Sequence, residues 1–242
     1  MLSAALVAVP AWLIIGLVAA GSWRLGGPRL AVLSGAGLAF LWNLRLWPAT
    51  IETFVLMIVA VIAALLIGIP LGILCGLSNR AWRTVSPALD MMQTMPSFVY
   101  LIPAIPFFGL GPVSACVATV VMSAPAAIRL TALGIRGVPH EMVEAADAFG
   151  STPAQKLVKV QLPLALPTIM AGVNQTIMLA LSMVVIAAMI GAGGLGREVW
   201  RSIQRLEAGT GLEAGIAIVV VAVILDRVTQ GMAQRMRPTG AA

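Results

Sequence analysis

Long apolar runs without a charged residue dominate the pattern of this chain. No Asp, Glu, Lys or Arg occurs in residues 1 to 23, 53 to 79, 91 to 128 or 160 to 196. An α-helix crosses the ~30 Å hydrocarbon core of a bilayer with about 20 residues, and each of these runs is at least that long. The pattern therefore predicts an all-α integral membrane protein.

The uncharged run from Met91 to Ile128 is too long for a single span. As one helix, these 38 residues would extend about 57 Å, nearly twice the thickness of the hydrocarbon core. Three helix-breaking residues stand together in Gly109-Leu110-Gly111-Pro112, which predicts a turn. The run is therefore interpreted as two spans joined at this turn.

The whole pattern predicts seven spans. In chain order they are 2–20, 30–47, 53–77, 87–108, 113–135, 164–190 and 212–230. A cleaved signal peptide is the alternative for the first run, but no Lys or Arg precedes it, so we expect a retained span. The second span is the weakest, because Asn43 and Arg45 interrupt it.

Composition agrees with this interpretation and argues against a nucleic-acid partner. Only 10% of the residues are charged, against about 25% in soluble domains. The net charge of +6 is typical of chains that bind phosphates. However, the basic residues stand in ones and twos at the borders of apolar runs, which is how membrane topology is encoded.

The basic residues also predict an orientation. If residues 136–163 face the cytoplasm, eleven basic residues share that side: Arg24, Arg29, Arg80, Arg83, Arg129, Arg136, Lys156, Lys159, Arg227, Arg235 and Arg237. Four lie on the other side: Arg45, Arg197, Arg201 and Arg205. Cytoplasmic loops carry the excess of Lys and Arg, so we expect the N-terminus outside and the C-terminus in the cytoplasm.

Three glycines in the third span predict a close helix contact. Gly68, Gly72 and Gly76 are spaced by four residues and therefore share one helical face. A neighbouring helix can approach closely along such a face.

The sequence predicts two short helices in the polar segment between the fifth and sixth spans. Pro139 is placed at the start of the first, Glu141 and Glu144 follow in its first turns, and Gly150 ends it. Met142, Ala145, Ala146 and Phe149 share one apolar face, and His140, Glu144 and Asp147 lie on another. Ser151 or Thr152 caps a second helix that begins at Pro153. An interfacial helix on lipid is the alternative, but the acidic polar face favours a protein partner over a negatively charged leaflet.

This segment resembles the EAA loop of type I ABC importer permeases. The resemblance rests on Glu144-Ala145-Ala146, Gly150 and, nine residues later, Val160-Gln161-Leu162-Pro163. In that family the loop is a coupling helix that docks on a separate ATP-hydrolysing subunit. The resemblance assigns this role to Glu144, Ala145, Ala146, Asp147, Phe149, Gly150, Leu162 and Pro163.

The flanking sequences narrow the resemblance to glycine betaine and proline importer permeases. Residues 89–103, 161–175, 179–187 and 191–196 look like the corresponding stretches of that family. The resemblance implies ATP-binding cassette subunits, an extracytoplasmic solute-binding protein and a second permease copy as partners, and a bacterial inner membrane location. It covers about residues 50–230, which leaves 1–49 as an N-terminal extension with one or two spans and 231–242 as a short cytoplasmic tail.

The chain lacks the motifs of an enzyme. It contains no Gly-x-x-x-x-Gly-Lys-Ser/Thr phosphate loop, no His-Glu-x-x-His, no Cys-x-x-Cys and no Gly-x-Ser-x-Gly. We therefore expect no catalytic, cofactor or metal site, and ATP hydrolysis on a separate subunit. A permease for another small solute, such as an amino acid or a sulfonate, is one alternative.

A secondary transporter, a channel and a non-transporting scaffold are further alternatives. Transporters that bind or relay ions place ionisable residues inside their spans, and the interiors of the third, fourth and sixth spans contain no Asp, Glu, Lys, Arg or His. Uncharged polar residues occur there instead, and these are candidates for lining a solute path: Gln93, Tyr100, Asn174, Gln175 and Ser182.

Overall fold

A computed structural model of the chain describes residues 6–235. In this part of the chain all regular secondary structure is helical. Five helices are long and apolar enough to cross a membrane, and six spans result if one bent pair of helices is counted as a span. The all-α membrane architecture is confirmed, whereas the number of seven spans stays a prediction.

The helices are numbered here in chain order. They are α1 (Ala11–Asn43), α2 (Trp47–Leu77), α3 (Asn79–Thr94), α4 (Leu101–Phe108), α5 (Pro112–Arg136), α6 (His140–Ala148), α7 (Pro153–Lys156), α8 (Leu162–Ala187), α9 (Gly194–Arg205) and α10 (Ala208–Arg235). A 3₁₀ turn, Ser97–Tyr100, precedes α4, and a π-helical turn, Leu157–Gln161, joins α7 to α8.

The first helix, α1, is a hairpin of two antiparallel arms. The Oγ atoms of Ser34 and Ser22 are 2.9 Å apart, although a straight helix would separate residues twelve positions apart by about 18 Å. The fold-back occurs at Gly27, whose φ is +80°, directly before Pro28. This is where the sequence predicts a loop between the first two spans. Each arm has about 16 residues, or about 24 Å, so a full crossing by each arm remains a prediction. Residues 2–5 of the predicted first span lie outside the described residues.

The predicted fourth span is wrong as a single straight helix. The segments Asn79–Thr94 and Ser97–Phe108 meet at an angle of 112°. Pro96 explains the break, because proline cannot donate a backbone hydrogen bond and disfavours helical backbone in the residue before it, here Met95 with ψ 135°. Pro87, the predicted start, lies inside α3.

The glycine face of α2 packs directly on α5, as the sequence predicts. A Cβ atom added at Gly68 would lie 2.6 Å from that of Ala127, and one added at Gly72 would lie 2.5 Å from that of Thr131. Gly76 meets Ile135 in the same way. Residue numbers increase in the same direction along both helices at these contacts, so α2 and α5 run parallel. The bent pair of α3 and α4 therefore leads the chain from the end of α2 back to the level where α2 begins.

The directions of α5, α8, α1 and α10 show which loops lie at each end of the bundle. Gly134 of α5 contacts Ala165 of α8, and Gly172 contacts Leu130, so these helices are antiparallel. The α6 end of the bundle holds residues 77–83 and 136–163, and the α9 end holds residues 44–52 and 191–207. The hairpin turn of α1 reaches the α6 end, where Gly231 of α10 lies against the Leu25 carbonyl. Basic residues thus gather at the α6 end, as the predicted orientation requires, while the side that each end faces remains a prediction.

Candidate functional site

The predicted coupling segment forms a separate short helix at one end of the bundle. α6 begins at His140, with Glu141 in its first turn, and ends at Ala148. Its polar residues are exposed, and His140 Nδ1 lies 3.1 Å from Glu144 Oε1.

Two side chains of α6 fix it to the bundle. Ala146 is 8% exposed, and Val143 packs in a cluster with Ile135 of α5 and Ile169 of α8. Leu162 belongs to the same cluster. α6 therefore packs directly on the end of α5 and the beginning of α8.

A glycine turn and an ion pair join α6 to the next helix. Gly150 has φ +72°, as its predicted role as a helix stop requires. The Thr152 hydroxyl accepts a hydrogen bond from the Gln155 N–H, and the Gln155 side chain accepts one from the Thr152 N–H, which completes a capping box. The Lys156 ammonium donates to both carboxylate oxygens of Asp147, at 2.8 and 2.9 Å.

The chain then continues without a break into the membrane. From Pro153 to Ile190 it forms one helical span of 38 residues that includes the π-helical turn. Pro163 follows the π-helical turn directly, at the second position of α8. π-helical turns inside long helices often occur at functional sites.

The exposed side of α6 carries apolar side chains among its polar residues, and it differs in detail from the predicted apolar face. Phe149 is 91% exposed and Met142 is 48% exposed, and Ala145 and Glu144 are exposed as well. Ala146, predicted on the same face, turns inward instead. We call Met142, Glu144, Ala145 and Phe149 the α6 face. Phe149, Met142 and Ala145 together expose apolar surface on one short helix segment, and contiguous exposed apolar surface marks interaction sites.

The structure does not bring the five predicted path residues together. Tyr100 is 7% exposed, packs among α4, α5 and α8, and donates a hydrogen bond to the Met92 carbonyl. The Asn174 amide turns towards α10 and donates to Asp226 Oδ1 at 2.9 Å. Only Gln93, Gln175 and Ser182 are exposed.

Gln175 and Ser182 belong to one exposed stripe of α8. The stripe recurs every three, four or seven residues, consists of Leu164, Pro167, Ala171, Gln175 and Ser182, and continues to Met189 in the 3₁₀ turn after α8. Ser182 donates to the Met178 carbonyl of its own helix, at 2.9 Å. An exposed amide in the middle of a span is unfavourable in lipid, so this stripe requires a protein or water neighbour.

Sequence reasoning missed a charged contact at the α9 end. Glu52 Oε2 of α2 accepts hydrogen bonds from the Gly194 N–H at 2.7 Å and from the Arg197 guanidinium at 3.2 Å. Next to it, the Thr53 hydroxyl accepts one from the Leu195 N–H at 2.8 Å. We call this set of contacts the Glu52 clasp. It borders an open groove of about 500 Å³ between α2, the start of α5 and the glycine loop before α9.

A second missed residue is Asp226 in the last span. Its two carboxylate oxygens accept hydrogen bonds from the side chains of Asn174 and Gln230. A carboxylate within a predicted apolar span was a detectable signal, because ionisable residues in spans are rare.

Comparison with known proteins identifies the family. A family model described as the inner membrane component of binding-protein-dependent transport systems matches residues 68–238. The chain belongs to this family. The resemblance inferred from the sequence and the multi-pass inner membrane location are thereby confirmed.

Several relatives of the permease are substantially identical along nearly its whole length. It is 52% identical to the glycine betaine/carnitine transport permease protein GbuB of Listeria monocytogenes, over 95% of this chain and 83% of the relative. It is 48% identical to the glycine betaine transport system permease protein OpuAB of Bacillus subtilis, over 96% and 82%. It is 46% identical to the glycine betaine/proline betaine permease protein ProW of Escherichia coli, over 97% and 66%.

Solved structures confirm the fold of the permease. It matches the MetNI methionine ABC transporter in an inward-facing conformation with a TM-score of 0.71 and 24% identity, over 76% of this chain and 93% of that one. An amino acid ABC transporter matches with a TM-score of 0.63 and 20% identity, over 82% of this chain and 97% of that one. At these identities the likeness concerns the fold alone.

Family membership decides between the classes considered from the sequence. The permease is a membrane component of a transport system, which sets aside the secondary transporter, channel and scaffold alternatives. It is not itself an enzyme, as predicted. The family implies ATPase and solute-binding protein partners.

Proposed function

We propose that the permease translocates glycine betaine, proline betaine or a related small quaternary amine in an ATP-driven importer. One observation carries this proposal: the relatives that are 46% to 52% identical all have glycine betaine in their names. More distant relatives are named for trimethylamine N-oxide, at 38% identity, and for choline, at 30%. These solutes share a methylated nitrogen centre, and we include proline in the tested set because the sequence resemblance covers proline permeases.

We propose further that the α6 face docks on the ATPase subunit. Phe149 and Met142 are exposed at a level of the bundle where polar residues otherwise dominate, and Glu144 of the same short segment is exposed too. This composition supports insertion of the apolar side chains into a groove, with the carboxylate at its rim.

The proposed transmission runs through α8. ATP binding draws the two ATPases together and displaces α6, and the cluster around Val143 and Ile169 passes this movement to α8. The same continuous span carries Gln175 and Ser182 near its middle. A shift of α8 would therefore change the side of the membrane to which the proposed path opens. This change is the alternating-access step.

We propose that two copies of the permease face each other across the exposed stripe of α8. Pairing would bring Gln175 and Ser182 of both copies to one axis and remove the exposed amide from lipid. Two identical faces give a closed twofold arrangement, so a homodimer is the simplest assembly. Gln93 is a further candidate for the same path.

The proposed division of the chain remains 1–49, 50–230 and 231–242. The position of α1 supports the first boundary, because this hairpin packs on α10 and the start of α2, outside the contact between α2, α5 and α8. Residues 231–235 continue α10, and residues 236–242 lie outside the described part.

Uptake by proteoliposomes tests the substrate. The permease is reconstituted with its cognate ATPase and solute-binding protein, and radiolabelled glycine betaine, proline betaine, choline and proline are offered with and without ATP. ATP-dependent accumulation of at least one is expected. Uptake of methionine or taurine, with none of these four, would overturn the substrate and leave the importer intact.

Cross-linking tests the pairing. In a variant with Cys75 and Cys116 replaced by serine, Ser182→Cys is expected to form a disulfide between copies under mild oxidation. Val32→Cys is the control, because Val32 is 71% exposed on α1, away from the stripe. Equal cross-linking at both positions, or none at Ser182→Cys, would contradict the proposed interface.

A further inference from the structure

An open pocket lies between the hairpin turn of α1 and the last turns of α10. Its volume is about 360 Å³. Arg29 and Leu33 of α1 line it together with Arg227 and Gln230 of α10.

The backbone fixes the shape of this pocket. Gly231 of α10 lies against the turn so closely that an added Cβ atom would be 3.0 Å from the Leu25 carbonyl oxygen. Further along, a Cβ atom added at Gly37 would lie 2.8 Å from the Cγ1 atom of Val220. These contacts hold α1 and α10 at a short, defined distance. The pocket is therefore a consequence of how the two helices pack.

The two arginines of the pocket lack a counter-charge in the described part of the permease. Within residues 6–233, neither Arg29 nor Arg227 forms an ion pair or a side-chain hydrogen bond, whereas Arg129 and Arg197 each have a carboxylate partner. Asp226 is the neighbouring acid on α10, but both of its oxygens already accept hydrogen bonds from Asn174 and Gln230.

Two guanidinium groups around one cavity favour an anion that can accept from both. Guanidinium groups recognise phosphate oxygens by paired hydrogen bonds. The second arm of α1 also begins at this pocket, so the positive end of its helix dipole adds to the field. A phosphate group can accept hydrogen bonds from both guanidinium groups, and its negative charge interacts favourably with the positive end of the helix dipole.

The position of the pocket favours a phosphate that belongs to a lipid. The pocket lies at the α6 end, where a span emerges from the hydrocarbon region, and it opens beside exposed apolar side chains of α1, Val32 and Leu33. Basic pockets between spans at this level bind anionic headgroups, and the apolar surface next to them accommodates the acyl chains. A phosphodiester with its glycerol fits a cavity of this kind better than a free ion, which would leave the apolar wall uncovered.

We infer that this pocket binds the phosphodiester headgroup of an anionic phospholipid. The inference does not rest on the proposed substrate, since it uses only the contact between α1 and α10. Its occupant would act as a bridge, because one phosphate would bind an arginine from each helix.

Lipid titration of the purified full-length permease tests this inference. Dioctanoyl phosphatidylglycerol, dioctanoyl phosphatidylcholine and inorganic phosphate are each titrated in detergent, and bound lipid is counted by native mass spectrometry alongside the melting temperature. Arg29→Gln, Arg227→Gln and the double variant are compared with Arg83→Gln, which removes an exposed arginine at the same end but outside the pocket.

We expect saturable binding of phosphatidylglycerol that is about fivefold weaker in each single variant and about 30-fold weaker in the double variant. Arg83→Gln should bind as the unaltered permease does. The single variants provide the test if the double variant does not fold. Unchanged binding in both single variants, or equal binding of phosphatidylcholine, would overturn the inference. Saturable binding of inorganic phosphate at the same concentrations would overturn the assignment to a lipid.

Discussion

Replacing Gly150 by valine is the sharpest test of the proposed coupling helix. Gly150 follows α6 with φ +72°, and its N–H donates to the Asp147 carbonyl at 2.9 Å while the next N–H, of Ser151, donates to the Ala146 carbonyl at 3.0 Å. These bonds close the helix end and set the direction in which the chain leaves it.

The structure isolates the physical cause of the effect. A Cβ atom at Gly150 would meet no heavy atom within 4 Å, so valine causes no steric overlap there. The remaining penalty is the left-handed backbone conformation, which costs a β-branched residue about 1 to 3 kcal/mol. That range corresponds to a loss of about fivefold to 140-fold in the population of the native turn.

The strain is expected to relax by tilting α6 away from the bundle. The opposing contacts are few, since only Val143 and Ala146 are packed and the exposed Asp147–Lys156 pair adds less than about 1 kcal/mol. The membrane spans are not involved, so Gly150→Val should insert at normal levels. Solute uptake should be lost, and the affinity for the ATPase subunit should fall.

Asparagine at the same position is the matched control. It adds a side chain of similar size to valine but tolerates the left-handed conformation, so Gly150→Asn should retain most uptake. Uptake per permease and ATPase binding are measured for both variants in the same proteoliposomes. Normal uptake by Gly150→Val, or equal loss in both variants, would refute the reasoning.

Three further predictions concern packing, topology and the Glu52 clasp. Gly72→Val should lower the melting temperature through overpacking worth about 1 to 3 kcal/mol, whereas Gly16→Ala should not, because a Cβ atom added at Gly16 meets nothing within 4 Å. Equal melting temperatures for the two variants would contradict the contact between α2 and α5. A cysteine at Thr152 should react with impermeant reagents only from the cytoplasmic side and one at Thr210 only from outside, and the reverse pattern would invalidate the orientation. Glu52→Gln should destabilise the permease by about 1 kcal/mol, because a charge-assisted acceptor for a backbone N–H and a guanidinium is lost; an unchanged melting temperature would show that the clasp does not stabilise the fold.

Parts of the proposed site were predictable because their signals are local. Gly150 could be recognised as a helix stop, and Thr152 as a cap, since both depend on the backbone of neighbouring residues alone. The buried side of α6 did not follow from the sequence, because Ala146 turns inward while Met142, Ala145 and Phe149 are exposed. The helix lies against the ends of α5 and α8, and those ends select its buried side.

The sequence by itself determined the membrane architecture and most of the breaks between helices. Transfer of an apolar side chain from water to lipid is favourable residue by residue, so long runs specify spans without reference to partners. Backbone geometry is similarly local, which is why the turn at Gly27-Pro28 and the loop at Gly109 to Pro112 were predictable. Pro96 is a local indication of the bend between α3 and α4 in the same way. The bend was not predicted, because Pro96 lies inside a continuous apolar run that was interpreted as a span.

Only the tertiary structure decided which polar side chains meet. Glu52 and Arg197 are 145 positions apart, and Arg29 and Arg227 are brought to one pocket by the packing of α1 on α10. The same holds for Tyr100, which the bend turns into the bundle. Within a membrane span every helix offers apolar surface on several sides, so hydropathy does not select a partner. Close packing of glycine faces and hydrogen bonds between a few polar groups make that selection, and both depend on the positions of all the helices together.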